Sequence, residues 1–405
     1  MTAAAPDAQL SPAKASASGL KKFFALDLLD NRYASLHGLR VLAILAVVQY
    51  HVTWIFVAEQ GIPLAPEFYD PSLTLFFGMD LFFMLSGFLI GSILLRSLQV
   101  SGTQNLKRFY IRRIFRTFPS YYVVLTALAV ATTLTPEQKS NLFWEYVYGS
   151  NFLPRLPTDT VMFWGWSLAL EEQFYLGVPV LFFVLHRLTT DRARLWLLGL
   201  LWAGCLTIRL YIYFKYRPWN DFALYDAVYF RLSTRYDTLI AGIILAIVHQ
   251  KHGARVKEWL EKPFHKGILG VVALACLWLL LRPTMFGRRE TQLVHIFAWG
   301  TVTTIMYFCV LTLLLHDTGF ISKVLGAPIF RKTATLGYGV YLVHIPLIYR
   351  VVVPAARSLQ KAGHSMAWVY PASLTAVMAM SFAIAYVLHI LIEKPSLKLR
   401  EMLGS

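Results

Sequence analysis

The chain has 405 residues, 57% of them hydrophobic and only 15% charged, with a mean hydropathy of +0.54. A water-soluble globule of that make-up lacks the polar surface to cover itself, so most of the chain is expected to have lipid as its solvent. The net charge of +16 sits in blocks of Lys and Arg at the ends of apolar runs, which records membrane orientation and argues against a nucleic-acid partner.

In chain order, residues 1–35 are rich in Ala, Ser, Lys and Pro. They lack the apolar core and small-residue cleavage site of a secretory leader, and read as a disordered cytoplasmic tail. Ten apolar runs follow, at 37–58, 72–95, 117–134, 164–185, 195–214, 232–249, 267–281, 293–315, 333–350 and 367–392. Their lengths suit a hydrocarbon core of about 30 Å. They predict an all-α, polytopic transmembrane bundle of about ten helices, forming one domain over 36–396, with 397–405 as a cytoplasmic C-terminal tail. The alternate segments that begin with the N-terminal tail hold 24 Lys and Arg, against 11 in the opposite set with Arg350 at the end of the ninth run included, which places both termini in the cytoplasm. Cys205, Cys276 and Cys309 each lie inside an apolar run and read as small core residues, so neither a disulfide framework nor a metal site is expected. The sequence stops at Ser405, soon after Glu393-Lys394-Pro395, so the chemistry is expected within the membrane part.

The first span carries Arg40 and His51 eleven residues apart. On a helix that separation is about three turns, so the two side chains share a face at an axial distance of about 16 Å. Ionisable groups inside lipid are costly and gather around function, and counting from the span ends puts His51, Asp80 and Glu171 at about one level in the outer half, with His344 near the midplane. Arg209, Arg235 and Asp237 fall in the outer half as well, where they either pair with one another or line an acceptor pocket. At the opposite end, Arg113 and Arg116 are three residues apart on one helical face and suit bidentate hydrogen bonds to phosphate oxygens, with anionic lipid headgroups as the competing use of Arg108 and Arg112.

Several segments in sequence order then make a resemblance specific. They are Arg40 with His51; Gly78-Met79-Asp80-Leu81-Phe82-Phe83-Met84-Leu85-Ser86-Gly87-Phe88-Leu89-Ile90; Arg113 with Arg116; and Trp166-Ser167-Leu168-Ala169-Leu170-Glu171-Glu172-Gln173-Phe174-Tyr175. Arg235-Tyr236-Asp237 with Gly242, Tyr341-Leu342-Val343-His344-Ile345-Pro346 and Ile392-Glu393-Lys394-Pro395 complete the set. From Leu36 to Pro395 the chain resembles the integral-membrane acyltransferase family 3. It departs from the family at His37, where Asp is usual, and at Gly337, where Ser is usual.

The resemblance implies a multi-pass protein of the bacterial inner membrane that moves an acyl group, with acetyl expected, from acyl-CoA to a hydroxyl of a sugar, lipid-linked glycan, lipid or polyketide. Some relatives continue into an extracytoplasmic esterase-like domain, which is not expected here. On this reading Arg40, Arg113 and Arg116 hold the donor phosphates, and His51 is the general base, oriented by Glu171 or Asp80. Arg235, Asp237, His344, Trp166 and Tyr341 are expected around the acceptor. Direct transfer and an acyl-histidine intermediate both fit. The rival from another class is a proton- or ion-coupled transporter using the same intramembrane Asp, Glu and His.

Overall fold

A computed structural model describes residue 26 and residues 32–101, 105–153, 158–216, 226–281, 298–316 and 319–403. The described residues are overwhelmingly helical. Nine helical stretches are long and apolar enough to cross a membrane, and Gly300–His316 is a shorter apolar helix. Together they reproduce the ten expected spans, except that the start of the eighth, 293–297, and nearly all of the expected N-terminal tail lie outside the described residues.

The spanning helices are α1 (Ala34–Trp54), α2 (Gly78–Ser101), α3 (Leu106–Ala131), α4 (Trp166–Arg187) and α5 (Asp191–Lys215). They continue with α6 (Leu232–Glu261), α7 (Pro263–Leu280), α8 (Thr303–His316), α9 (Gly337–Leu347) and α10 (Met366–Leu388). Helix formation here needs no amphipathic stripe, because hydrocarbon leaves every backbone amide to find its partner within the helix. The prolines inside α3, α4, α9 and α10, at Pro119, Pro179, Pro346 and Pro371, are tolerated among packed neighbours for the same reason.

The helix at the centre is α2. Of its most apolar window 82% is buried, against 6% for α7, whose Val271, Leu274 and Trp278 are exposed on the outside of the bundle. The tightest crossing is between α2 and α6. A Cβ at Gly87 would collide with the Leu239 carbonyl, and one at Gly242 with the Met84 carbonyl and the Phe88 amide. Small residues at such a crossing let two backbones approach and gain dispersion contact where no hydrophobic drive operates between helices.

Two segments outside the spans help to place the site. A short helix, Pro136–Tyr146, starts on a Thr135/Gln138 capping box. At its end the buried Glu145 carboxylate accepts the Val161 amide at 2.8 Å and the Met162 amide at 2.7 Å, fixing the approach to α4. Burial pushes the Glu145 carboxyl up to about 7, against the downward pull of those two amides. At the other end of the bundle the expected C-terminal tail is a helix, Lys394–Met402. The Ser396 hydroxyl donates to the Phe115 carbonyl of α3 and Leu397 is buried, so the first turn of this helix docks on the bundle, while Leu399 and Met402 beyond it are exposed.

Candidate active site

The cavity at the basic end has a volume of about 170 Å³. Its wall takes Arg40 from α1, Arg113, Arg116 and Thr117 from α3, Ser86 from α2, and Glu171, Glu172 and Tyr175 from α4. Tyr338 and Tyr341 of α9 and, beyond α10, Glu393 also line it. None of Arg40, Arg113 and Arg116 forms a salt bridge among the described residues. Arg113 lies 5.5 Å from the centre of the Tyr175 ring, and its Nε is buried without a hydrogen-bond partner. Two carboxylates of this chamber have partners other than the arginines. Glu171 Oε1 accepts from the hydroxyls of both Ser86 and Tyr175, and Glu393 lies 2.7 Å from His389 Nδ1.

A smaller cavity of about 40 Å³ is lined by Val47, Tyr50, His51, Phe76, Met79, Trp166, Tyr229 and Tyr341. It adjoins the first, because Met79 and Tyr341 line both. Arg40 and His51 therefore face two neighbouring chambers with a shared wall. The Tyr341 hydroxyl is fixed at that wall, 2.6 Å from Ser167 Oγ and donating at 2.7 Å to the Trp164 carbonyl. Trp164 follows the segment that Glu145 clamps, so the loop outside the membrane sets one edge of the wall.

The side chains gather differently from the expectation. His51 Nδ1 is 3.1 Å from Nε2 of His344, a buried residue of α9, and neither Glu171 nor Asp80 serves as its partner. Asp80 accepts from Arg235 Nη2 at 2.5 Å, with both side chains fully buried. Asp237 accepts from Arg209 Nη1 at 2.8 Å, and Arg209 also donates to the Thr234 carbonyl and the Thr301 hydroxyl. Counting from the span ends put Glu171 level with His51; Glu171 lines the basic chamber, whereas Trp166, five residues earlier on α4, lines the small cavity with His51.

Of the residues expected around an acceptor, Trp166 and Tyr341 share the small cavity with His51, and His344 stands directly behind it. Arg235 and Asp237 line neither cavity. Tyr229 is the link between the two sets: its ring lies 4.4 Å from the Arg235 guanidinium and 5.2 Å from the Trp166 ring. Sequence reasoning assigned no site role to Tyr229, Tyr50, Ser86 or Tyr175, although Ser86 and Tyr175 stand in the segments that carry the resemblance. The last was recoverable, since Glu171 and Tyr175 are four apart on one helix and meet on one face.

The family model described as an acyltransferase domain matches residues 33–390. The peptidoglycan O-acetyltransferase OatA of Listeria monocytogenes is 28% identical over 333 residues, covering 78% of this chain and 49% of that protein. A putative O-acetyltransferase of Staphylococcus aureus is 27% identical, covering 77% of this chain and 50% of its own length. The putative peptidoglycan O-acetyltransferase YrhL of Bacillus subtilis is 26% identical over 352 residues, covering 82% and 50%. The chain thus spans about half the length of these curated relatives. No solved structure matches it.

Proposed function

The chain belongs to this acyltransferase family, and from that premise we propose that it carries an acyl group, acetyl by preference, from acyl-CoA to a hydroxyl of a glycan. The observation that carries the reading is one helix, α1, placing Arg40 in a chamber of unpaired guanidinium groups and His51 in the adjoining cavity. Unpaired guanidinium groups inside a membrane protein call for an anionic ligand, and the forked geometry of Arg suits phosphate oxygens. Arg40, Arg113 and Arg116 bind the donor's phosphates, and the Lys and Arg asymmetry puts that end of the bundle at the cytoplasm. The protein then resides in the inner membrane with both termini inside.

The thioester passes the wall formed by Met79 and Tyr341 to reach His51. The acceptor hydroxyl gives its proton to His51 while its oxygen bonds to the thioester carbonyl carbon. The carbon–sulfur bond breaks, and the leaving sulfur takes the proton, so free CoA departs and His51 returns to neutral. Trp166, Tyr50 and Tyr229 offer aromatic faces on which a sugar ring can stack, which fits a glycan acceptor of the kind named for the relatives. Glu171, tied to Ser86 and Tyr175, keeps the donor chamber in shape and its carboxylate away from the phosphates.

The test is transfer of label from acetyl-CoA to peptidoglycan fragments or other glycans by the reconstituted protein. Wild type should transfer, and His51→Ala should fall by about 10²–10⁴-fold while remaining membrane-inserted. Undiminished turnover by His51→Ala would remove the imidazole from the mechanism.

A further inference from the structure

His344 lines neither of the two cavities, is fully buried, and yet touches the proposed base. Its Nδ1 lies 2.7 Å from the carbonyl oxygen of Tyr341 on the same helix. A carbonyl can only accept, so Nδ1 of a neutral His344 carries the proton and Nε2 is left with a lone pair. That bare Nε2 faces His51 Nδ1 at 3.1 Å. The hydrogen bond between the two rings then has one polarity, with His51 Nδ1–H donating, and the lone pair of His51 resides on Nε2.

We infer that His344 is a positioning residue which, through the Tyr341 carbonyl, holds His51 in the Nδ1–H tautomer and so presents Nε2 to the acceptor hydroxyl. The inference rests on His51 being the base, as proposed above. It replaces the carboxylate of the usual carboxylate–histidine arrangement with a neutral imidazole, which suits a helix bundle where an additional buried charge would need its own partner. When the acceptor's proton arrives at Nε2, the resulting imidazolium keeps its Nδ1–H bond to His344, so no second proton transfer is needed. As the carbon–sulfur bond breaks, the same proton leaves from Nε2 to the thiolate.

The anchor is itself restrained. Tyr341 is held through its hydroxyl by Ser167 and the Trp164 carbonyl, so the backbone oxygen that sets the tautomer and the side chain that walls the two chambers belong to one fixed residue.

Three measurements separate this inference from the reading beneath it. Nitrogen-15 NMR of selectively labelled wild type should show His51 protonated at Nδ1 and bare at Nε2, whereas an Nε2–H signature overturns the inference whatever the activity. His344→Leu should lower kcat by about 10²-fold or more, with the donor KM unchanged within about twofold, because tautomer control acts on proton transfer and not on phosphate binding. Full kcat in His344→Leu alongside an inactive His51→Ala overturns the inference and leaves the function standing. His344→Gln can accept from His51 Nδ1 through its carbonyl and donate to Tyr341 through its amide, so it should restore most of the lost rate. A Gln variant as slow as the Leu variant overturns the positioning role. Should His344→Leu fail to insert, the wild-type NMR signature and the Gln variant decide.

Discussion

Among the arginines of the spanning helices, two sets in two regions treat the same side chain in opposite ways. Arg209 and Arg235 are fully buried, and each meets an aspartate, Asp237 and Asp80. Arg40, Arg113 and Arg116 are half-buried, surround a cavity and have no salt-bridge partner among the described residues. Charge alone therefore does not mark a binding site in this bundle. The paired arginines fix α2, α5 and α6 to one another, whereas the unpaired ones leave their hydrogen bonds available to something from outside. Both groups are expensive to place in lipid; only the second borders a cavity with no carboxylate on its guanidinium groups among the described residues.

The sharpest way to break this contrast is to remove one member of a paired set. Arg235→Leu leaves Asp80 buried without its cation and should cost about 3–5 kcal/mol of stability, read as a large fall in the melting temperature of the purified protein in detergent. A midpoint close to wild type would mean that Arg235 is not structural. The matching double substitution in the other region, Arg113→Ala with Arg116→Ala, should leave the melting temperature nearly unchanged. It should weaken acyl-CoA binding by roughly 10²-fold, as expected for two lost charge-assisted bonds to phosphate. Unchanged donor affinity, measured by calorimetry, would leave these guanidinium groups without the phosphate role.

Glu145 sharpens the comparison from outside the spans, as a buried carboxylate held by two backbone amides and, among the described residues, by no cation. Its carboxyl ordinarily titrates near 4.5 and stands at about 7 in the folded chain. Between those values the folded form keeps a proton that the unfolded form has released, so this group's contribution is full below about pH 4.5 and is lost as the pH rises to about 7. Melting temperature measured across that window should fall for wild type and be flatter for Glu145→Gln. Parallel curves would show that another group dominates. The smallest effect is expected at Gly337, where a Cβ would meet open space in the basic chamber. Gly337→Ser, which installs the residue usual in the resembled family, should express and melt like wild type.

The sequence by itself determined the fold class, the approximate span boundaries and the candidate residues, because a spanning helix in hydrocarbon is dictated by local composition and by the need to satisfy its own backbone. The placement of Arg40 and His51 along one helix was equally local, since eleven residues on α1 fix both the shared face and the separation. Partnership was decided by tertiary structure. His51 meets a histidine 293 residues away, Asp80 meets Arg235 and Asp237 meets Arg209, and no spacing along the chain encodes which helix stands beside which. The chamber a side chain enters was decided there too: residue counts give a position along one helix and not the neighbours that surround it, and so Glu171 and His51, which counting put at one height, line different chambers.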